Sequence, residues 1–175
     1  RNGVCIYKWP KENFLPFSLL DYVDSLKYLV KNESFAPLTI DMDINDSCSD
    51  NCIFCFSKEF REKRARPSQK YCHIPLHDLE QVLKSFRNIG TSHVRFVSSG
   101  EPLEHPEIDK ILRYTKELGF TVSLFTNGNN LVNREIQSIV ANNVDLLRVS
   151  IDSGDDEERY RIHKPSKQVR YDSII

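Results

Sequence analysis

Three cysteines fall within eight residues, Cys48-Ser-Asp-Asn-Cys52-Ile-Phe-Cys55, in a C-x3-C-x2-C spacing with no fourth cysteine at a similar distance. Thiolates suit iron–sulfur clusters and zinc. Four cysteines would close all four irons of a cubane, whereas three leave one iron able to take a ligand from outside the protein. Zinc accepts three cysteines and a histidine, and Cys72-His73 offers the missing group. Zinc sites more often join two short ligand pairs than hold three ligands in one tight loop. Spacing alone leaves both metals open. The chain has five cysteines, an odd number with three clustered, which is not a disulfide framework. Clustered thiols read as metal ligands in a reducing compartment. Cys5 and Cys72 are left over, and each is read as a small buried hydrophobe or an ordinary thiol.

A strand delivers this loop. Residues 39–44 alternate, with Ile40, Met42 and Ile44 on one face and Thr39, Asp41 and Asp43 on the other. Residues 75–89 place Leu76, Leu79, Val82, Leu83, Phe86 and Ile89 on one helical face, and Gly90 ends that helix. Residues 93–98 read as a second strand. Pro106 suits the first position of a second helix, whose stripe is Ile108, Ile111, Leu112 and Leu118 before Gly119. Residues 120–125 form a third strand leading to Thr126-Asn127-Gly128. Asn133 caps a helix bearing Ile136, Ile139 and Val140, and residues 145–151 are a fourth strand. Ahead of these lies an N-terminal segment, residues 1–36, with a short strand at 3–9 and a helix at 18–31; residues 37–175 form the main domain. Alternating strands and helices imply a parallel sheet with right-handed crossovers.

The strand faces constrain the architecture. On the fourth strand Arg148, Ser150 and Asp152 share one face, and Leu147, Val149 and Ile151 the other. Helices must cover the apolar face. A closed eight-stranded barrel fills its interior with Val, Ile and Leu, so a polar interior points to an incomplete or wider barrel around a solvated cavity. Loops that follow strands then line the active face, at the carboxyl end of the sheet. Asp41, Asp43 and Arg95 face that cavity by the same alternation and are candidates to touch a substrate.

Composition is that of an ordinary globular chain: 175 residues, 39% hydrophobic, 28% charged, net charge −1. Nothing in it points to nucleic acid or to an acidic membrane surface, and no apolar run approaches membrane-spanning length. The expected location is the cytoplasm. Residues 58–70 are charge-rich and read as a solvated loop or helix face, with contact to an acidic partner as the alternative. His105 reads as a helix-start residue; His73, His77, His93 and His163 have no partner visible in the sequence. The chain begins at Arg1 and ends at residues 171–175, which resemble the first turn of a helix, so a longer native chain is expected.

The cysteine triplet, with aromatic Phe54 before its third member, resembles the radical S-adenosylmethionine superfamily. Ser99-Gly100-Glu101-Pro102 resembles that family's Gly-Gly-Glu-Pro motif with serine in the first place. Thr126-Asn127-Gly128 and Val149-Ser150-Ile151-Asp152 match its later strand ends, in the same order and spacing. The resemblance runs from about Pro37 to Lys164. It implies a partial (βα)6 TIM-like barrel of parallel strands with outer helices, of which four βα units are present. It implies that Cys48, Cys52 and Cys55 hold a [4Fe-4S] cluster whose open iron is chelated by S-adenosylmethionine. Backbone around Ser99, Gly100 and Glu101 would meet the cofactor's amino group; Thr126 and Ser150 its ribose or methionine part; Phe54 its adenine; Arg148 its carboxylate. The implied activity is reductive cleavage of that cofactor to a 5′-deoxyadenosyl radical that takes hydrogen from a substrate. The implied partners are a flavodoxin- or ferredoxin-like electron donor and a peptide or small-molecule substrate, in the style of the branch acting on peptides and cofactor precursors. No residue is assigned to catalysis on the substrate. A zinc- or cluster-binding module without catalysis is the alternative.

Overall fold

The computed structural model describes residues 36–64, 72–166 and 169. The expected N-terminal strand and helix, and the turn at 171–175, lie outside these residues. Four strands, β1 (Thr39–Met42), β2 (His93–Phe96), β3 (Thr121–Thr126) and β4 (Leu146–Val149), form one sheet in the order β1-β2-β3-β4. Every pairing is parallel, as the alternation of strands and helices predicts. Helices α1 (Lys58–Arg64), α2 (Leu76–Asn88), α3 (Ile108–Glu117), α4 (Arg134–Asn143) and α5 (Asp156–His163) occupy the connections and the stretch after β4.

The register explains the two-faced strands. Met42, Phe96, Leu124 and Leu147 pair in one row across the sheet, and Asp41, Arg95, Ser123 and Leu146 in the next. Successive strand residues point to opposite faces, so the first row belongs to the helix-covered side. There Val94, Phe96, Val122 and Leu124 are fully buried in one cluster with Leu79 and Leu83 of α2 and Ile111 and Leu112 of α3. Burying one such leucine or phenylalanine contributes roughly 1.5–3 kcal/mol. Gly119, at φ +79°, takes the left-handed turn that ends α3. Asn133 caps α4 as expected, its Oδ1 accepting from Glu135 N at 2.8 Å.

The second strand is shorter than its sequence pattern because the chain leaves the ladder to build the site. Ile44 N, where a further ladder bond would form, donates instead to Ser98 Oγ at 3.2 Å. Helix α3 starts at Ile108 rather than at Pro106, and His105 organises the turn before it. His105 Nδ1 accepts from Glu107 N at 3.0 Å, and its Nε2–H donates to Ile74 O at 2.9 Å. Helix α5 is an addition to the sequence reading: its buried residues are Arg159 and His163, not an apolar stripe.

Leu112→Ala should cost about 2–5 kcal/mol of unfolding free energy, the usual range for a fully buried leucine, with no change in the secondary-structure spectrum at low denaturant. Urea unfolding followed by circular dichroism measures it.

Candidate metal and cofactor site

The cysteine loop is fastened to three neighbouring segments before any cofactor is considered. Asn45 Nδ2 donates to Glu101 O at 2.9 Å and to Ser47 O at 3.2 Å, and its Oδ1 accepts from Ser47 N at 3.2 Å. Gly100 N donates to Asn45 O at 3.0 Å, and Glu101 N to Ser47 O at 2.6 Å. A Cβ on Gly100 would lie 2.1 Å from Ser47 O, so only glycine permits this approach of the loop after β2 to the cysteine loop. Glu104 accepts from Ser47 Oγ at 2.8 Å and from Ser49 N at 2.6 Å. From the β3 side, Asn129 Nδ2 donates to Ser49 Oγ at 2.9 Å and to Asp50 Oδ1 at 2.7 Å. From the far side, Asn51 N donates to His163 O at 2.8 Å and Ile53 N to Ile162 O at 3.0 Å, which docks the end of α5 on the loop.

Nitrogen groups from three segments stand against the thiols of the triplet. Asn127 Nδ2 lies 3.8 Å from Cys48 Sγ, Arg61 Nη2 3.7 Å from Cys55 Sγ, and His163 Nδ1 3.3 Å from Cys52 Sγ. None of these three cysteines is in a disulfide. Burial pushes the Cys48 thiol up to about 11 and the Cys52 thiol up to about 12, the latter helped by the Asp50 charge. As free thiols both stay protonated at neutral pH; a bound metal takes the proton's place, and the N–H donors stabilise the charged sulfur.

Among the described residues, Asp50, Cys52 and His163 bring three ligand atoms within 4.8 Å of one another; the three thiols do not, and Cys72 and His73 join no such set. Thiolates on one tetrahedral zinc sit about 3.8 Å apart, given Zn–S bonds near 2.3 Å. The three thiols are not drawn together into such a set, and three thiolates from one loop fit a multi-iron cluster with one open iron. The Asp50–Cys52–His163 set is close enough for a single ion, but the Arg159 guanidinium already stands 3.6 Å from Asp50 Oδ2 and supplies the positive charge. Asp50, Arg159 and His163 are all buried, and Arg159 Nη2 donates to Asn129 Oδ1 at 2.5 Å. A cavity of about 520 Å³ bordered by Cys48, Ser49, Glu104, Asn129 and Asn130 flanks the loop at its first cysteine.

The other predicted residues divide into buried struts and exposed groups. Glu101 is buried, and its carboxylate accepts from Thr126 Oγ1 at 2.6 Å, Asn127 N at 2.7 Å and Leu103 N at 3.1 Å. Burial raises it to about 7 despite these donors. The Thr126 hydroxyl is used by Glu101 and by Gly128 N, at 3.1 Å. Ser99 is bound through both N and Oγ to the Asp43 carboxylate. Ser150 is exposed and donates its N–H to Thr126 O at 2.8 Å. Arg148 is exposed and lies over the Phe125 ring, 5.0 Å from its centroid. Phe54 is half exposed, with its ring edge-on to His163 at 5.8 Å. On the inner face Asp41 is bound in bidentate fashion by Arg95, at 2.7 and 2.5 Å. Sequence reasoning missed Arg61, Asp50, Arg159 and His163. A charged run hid the first, and the others meet only across the fold.

The sequence model of the Radical SAM superfamily matches residues 42–175. A protein named GTPase Obg from Brachyspira hyodysenteriae is 28% identical over 142 residues, covering 79% of this chain and 20% of that protein. These 175 residues contain no G-x4-G-K-[ST] phosphate loop, so the shared stretch is not a nucleotide-binding P-loop. An S-adenosylmethionine-dependent nucleotide dehydratase from Lacinutrix mariniflava is 31% identical over 137 residues, covering 73% of this chain and 27% of the relative. The chain thus spans about a fifth to a quarter of the length of these two relatives. Among solved structures, Streptococcus suis SuiB bound to the precursor peptide SuiA aligns with a TM-score of 0.63 at 21% identity, over 96% of this chain and 36% of that one, which establishes a shared fold.

Gly100→Ala should leave the core folded but displace the cysteine loop, so iron retained after anaerobic reconstitution should fall several-fold while the helical spectrum persists. Glu101 gives a pH signature. Its folded value lies above the unfolded carboxylate value, so the folded state holds the proton longer and stability drops as pH rises from about 4.5 to about 7. Melting temperatures of wild type and Glu101→Gln between pH 5 and 8 should move against the wild type as pH increases.

Proposed function

Because the chain belongs to the radical SAM superfamily, we propose that Cys48, Cys52 and Cys55 hold a [4Fe-4S] cluster with S-adenosylmethionine on its open iron, and that the protein uses them to start a radical reaction. When bound, the pair supplies a 5′-deoxyadenosyl radical by one-electron cleavage of the cofactor's carbon–sulfur bond. The observation that supports this reading best is that nitrogen groups from three separate segments, Asn127, Arg61 and His163, stand against the three free thiols. Such donors favour charged sulfur and hold each ligand in one orientation.

The chain's own residues then position and shield. Ser99 and Gly100 present backbone beside the cysteine loop, with Ser99 fixed by Asp43. The side chains of Glu101 and Thr126 are spent on each other, so any contact from them to a cofactor runs through backbone. Ser150 and Arg148 are exposed polar groups at the fourth strand end, suited to a ribose hydroxyl and a carboxylate. Phe54, half exposed beside the second and third cysteines, suits an adenine face. The inner-face pair Arg95 and Asp41 suits a polar substrate. The likeness to a nucleotide dehydratase favours a nucleotide or cofactor precursor; a peptide, as SuiB binds, is the other outcome to test. The electron would come from a small flavodoxin- or ferredoxin-like donor. Among the described residues no helix is long and apolar enough to cross a membrane.

Anaerobic reconstitution of the full-length protein should give broad absorption near ~400 nm and about four irons per site. S-adenosylmethionine should alter the electron-spin signal of the reduced cluster, and dithionite should yield 5′-deoxyadenosine and methionine. Cys52→Ala should abolish both. A colourless protein with one zinc would sink the proposal; a coloured one that forms no 5′-deoxyadenosine would leave a cluster-binding core without catalysis.

A further inference from the structure

His163 lies 111 residues from Cys52 in sequence, yet its Nδ1 is 3.3 Å from the Cys52 sulfur. The side chain is 2% exposed, and it is held from several directions. Its own carbonyl accepts from Asn51 N, and the preceding carbonyl, that of Ile162, accepts from Ile53 N, so the helix end cannot turn without breaking the loop's backbone bonds. Nδ1 lies 3.4 Å from Asp50 Oδ2, and Nε2 lies 3.6 Å from Asp152 Oδ2. Asp50 is held in turn by Asn129 and by the Arg159 guanidinium. The Phe54 ring stands edge-on to the imidazole.

Nδ1 faces a thiol sulfur and a carboxylate oxygen. Both are acceptors once the sulfur ligates a metal, so Nδ1 carries the hydrogen; the tautomer is assigned from these partners. A hydrogen bond to a ligating sulfur stabilises added negative charge and thereby raises the reduction potential of the metal group. Neither the cysteine spacing nor the strand-end motifs involve this residue.

We propose that His163 is a positioning residue for the cluster: it donates from Nδ1 to the Cys52 sulfur, fixes that ligand's orientation and raises the cluster's reduction potential. The inference rests on the proposed cluster at Cys48, Cys52 and Cys55. Asp50 and Arg159 serve it by holding the ring, and Asp152 faces the opposite nitrogen.

The test is a redox titration of the reconstituted full-length protein without S-adenosylmethionine, followed by electron-spin resonance. In His163→Leu, the reduced-to-oxidised ratio at the wild-type midpoint should fall about tenfold, about 59 mV for a one-electron couple. His163→Asn, whose amide nitrogen sits near the position of Nδ1, should recover most of the difference, and His163→Gln should not. A Leu variant with full iron content and an unchanged midpoint overturns the proposal. If the Leu variant takes up no cluster, the amide pair decides: Asn above Gln supports the proposal, and equal midpoints overturn it. A wild-type protein that holds no four-iron cluster overturns the functional proposal, and this inference with it.

Discussion

To hold a metal, three half-buried thiols must be tolerated as anions, and the rest of the site is organised around that constraint. Burial first, and at Cys52 the Asp50 charge after it, pushes Cys48 and Cys52 well above the ordinary thiol range. A charged sulfur with no donor in such a place is costly. The donors come from three separate segments: Asn127 after β3, Arg61 on α1 and His163 at the end of α5. No single loop contains them. The sheet and its helices have to be in register before the triplet has its environment, so the chemistry of the site depends on the fold as a whole.

The loops are held to one another by polar struts. Glu101 illustrates the balance. Its carboxylate collects three donors and joins the loop after β2 to the loop after β3, yet burial still lifts it to about 7. Such a buried acid is tolerable only while every donor stays in place. Gly100 does the complementary task by removing bulk where two backbones meet. The same short motif that suggests cofactor contact is thus also the joint between two loops. These roles are compatible, since backbone groups meet a ligand reliably only where the backbone is fixed.

Much of the fold was legible because its helix-covered face is conventional. Apolar residues at two-residue spacing marked β1 and β4, and apolar stripes marked α2, α3 and α4. Strand ends were read too long where side chains such as Ser98 replace the ladder. Helix α5 escaped for a specific reason. Its sequence, Asp-Glu-Glu-Arg-Tyr-Arg-Ile-His, has almost no apolar periodicity, and the residues it buries are Arg159 and His163. Periodicity finds helices that bury hydrocarbon, whereas this one buries hydrogen-bonding groups against a loop. Arg61 was hidden in a similar way, as one charge among many in a run that reads as solvated. The three cysteines were visible from spacing; their donors were not, since each is set by tertiary contact.

The buried Asp50–Arg159 pair shows why such a helix is kept. Taking two charges out of water costs several kcal/mol per ion, and apolar replacements of similar volume are often as stable. Stability is therefore a weak reason for the pair. Its geometry gives a better one. Arg159 binds Asn129 and faces Asp50; Asp50 faces His163; and His163 reaches Cys52. An apolar substitute would fill the space without fixing the direction of the imidazole. Directional groups in a dry site hold a neighbour to one orientation, and a ligand whose sulfur must point at one place gains from that constraint. The energetic cost of the network is thus best matched to control of Cys52 rather than to the stability of the fold.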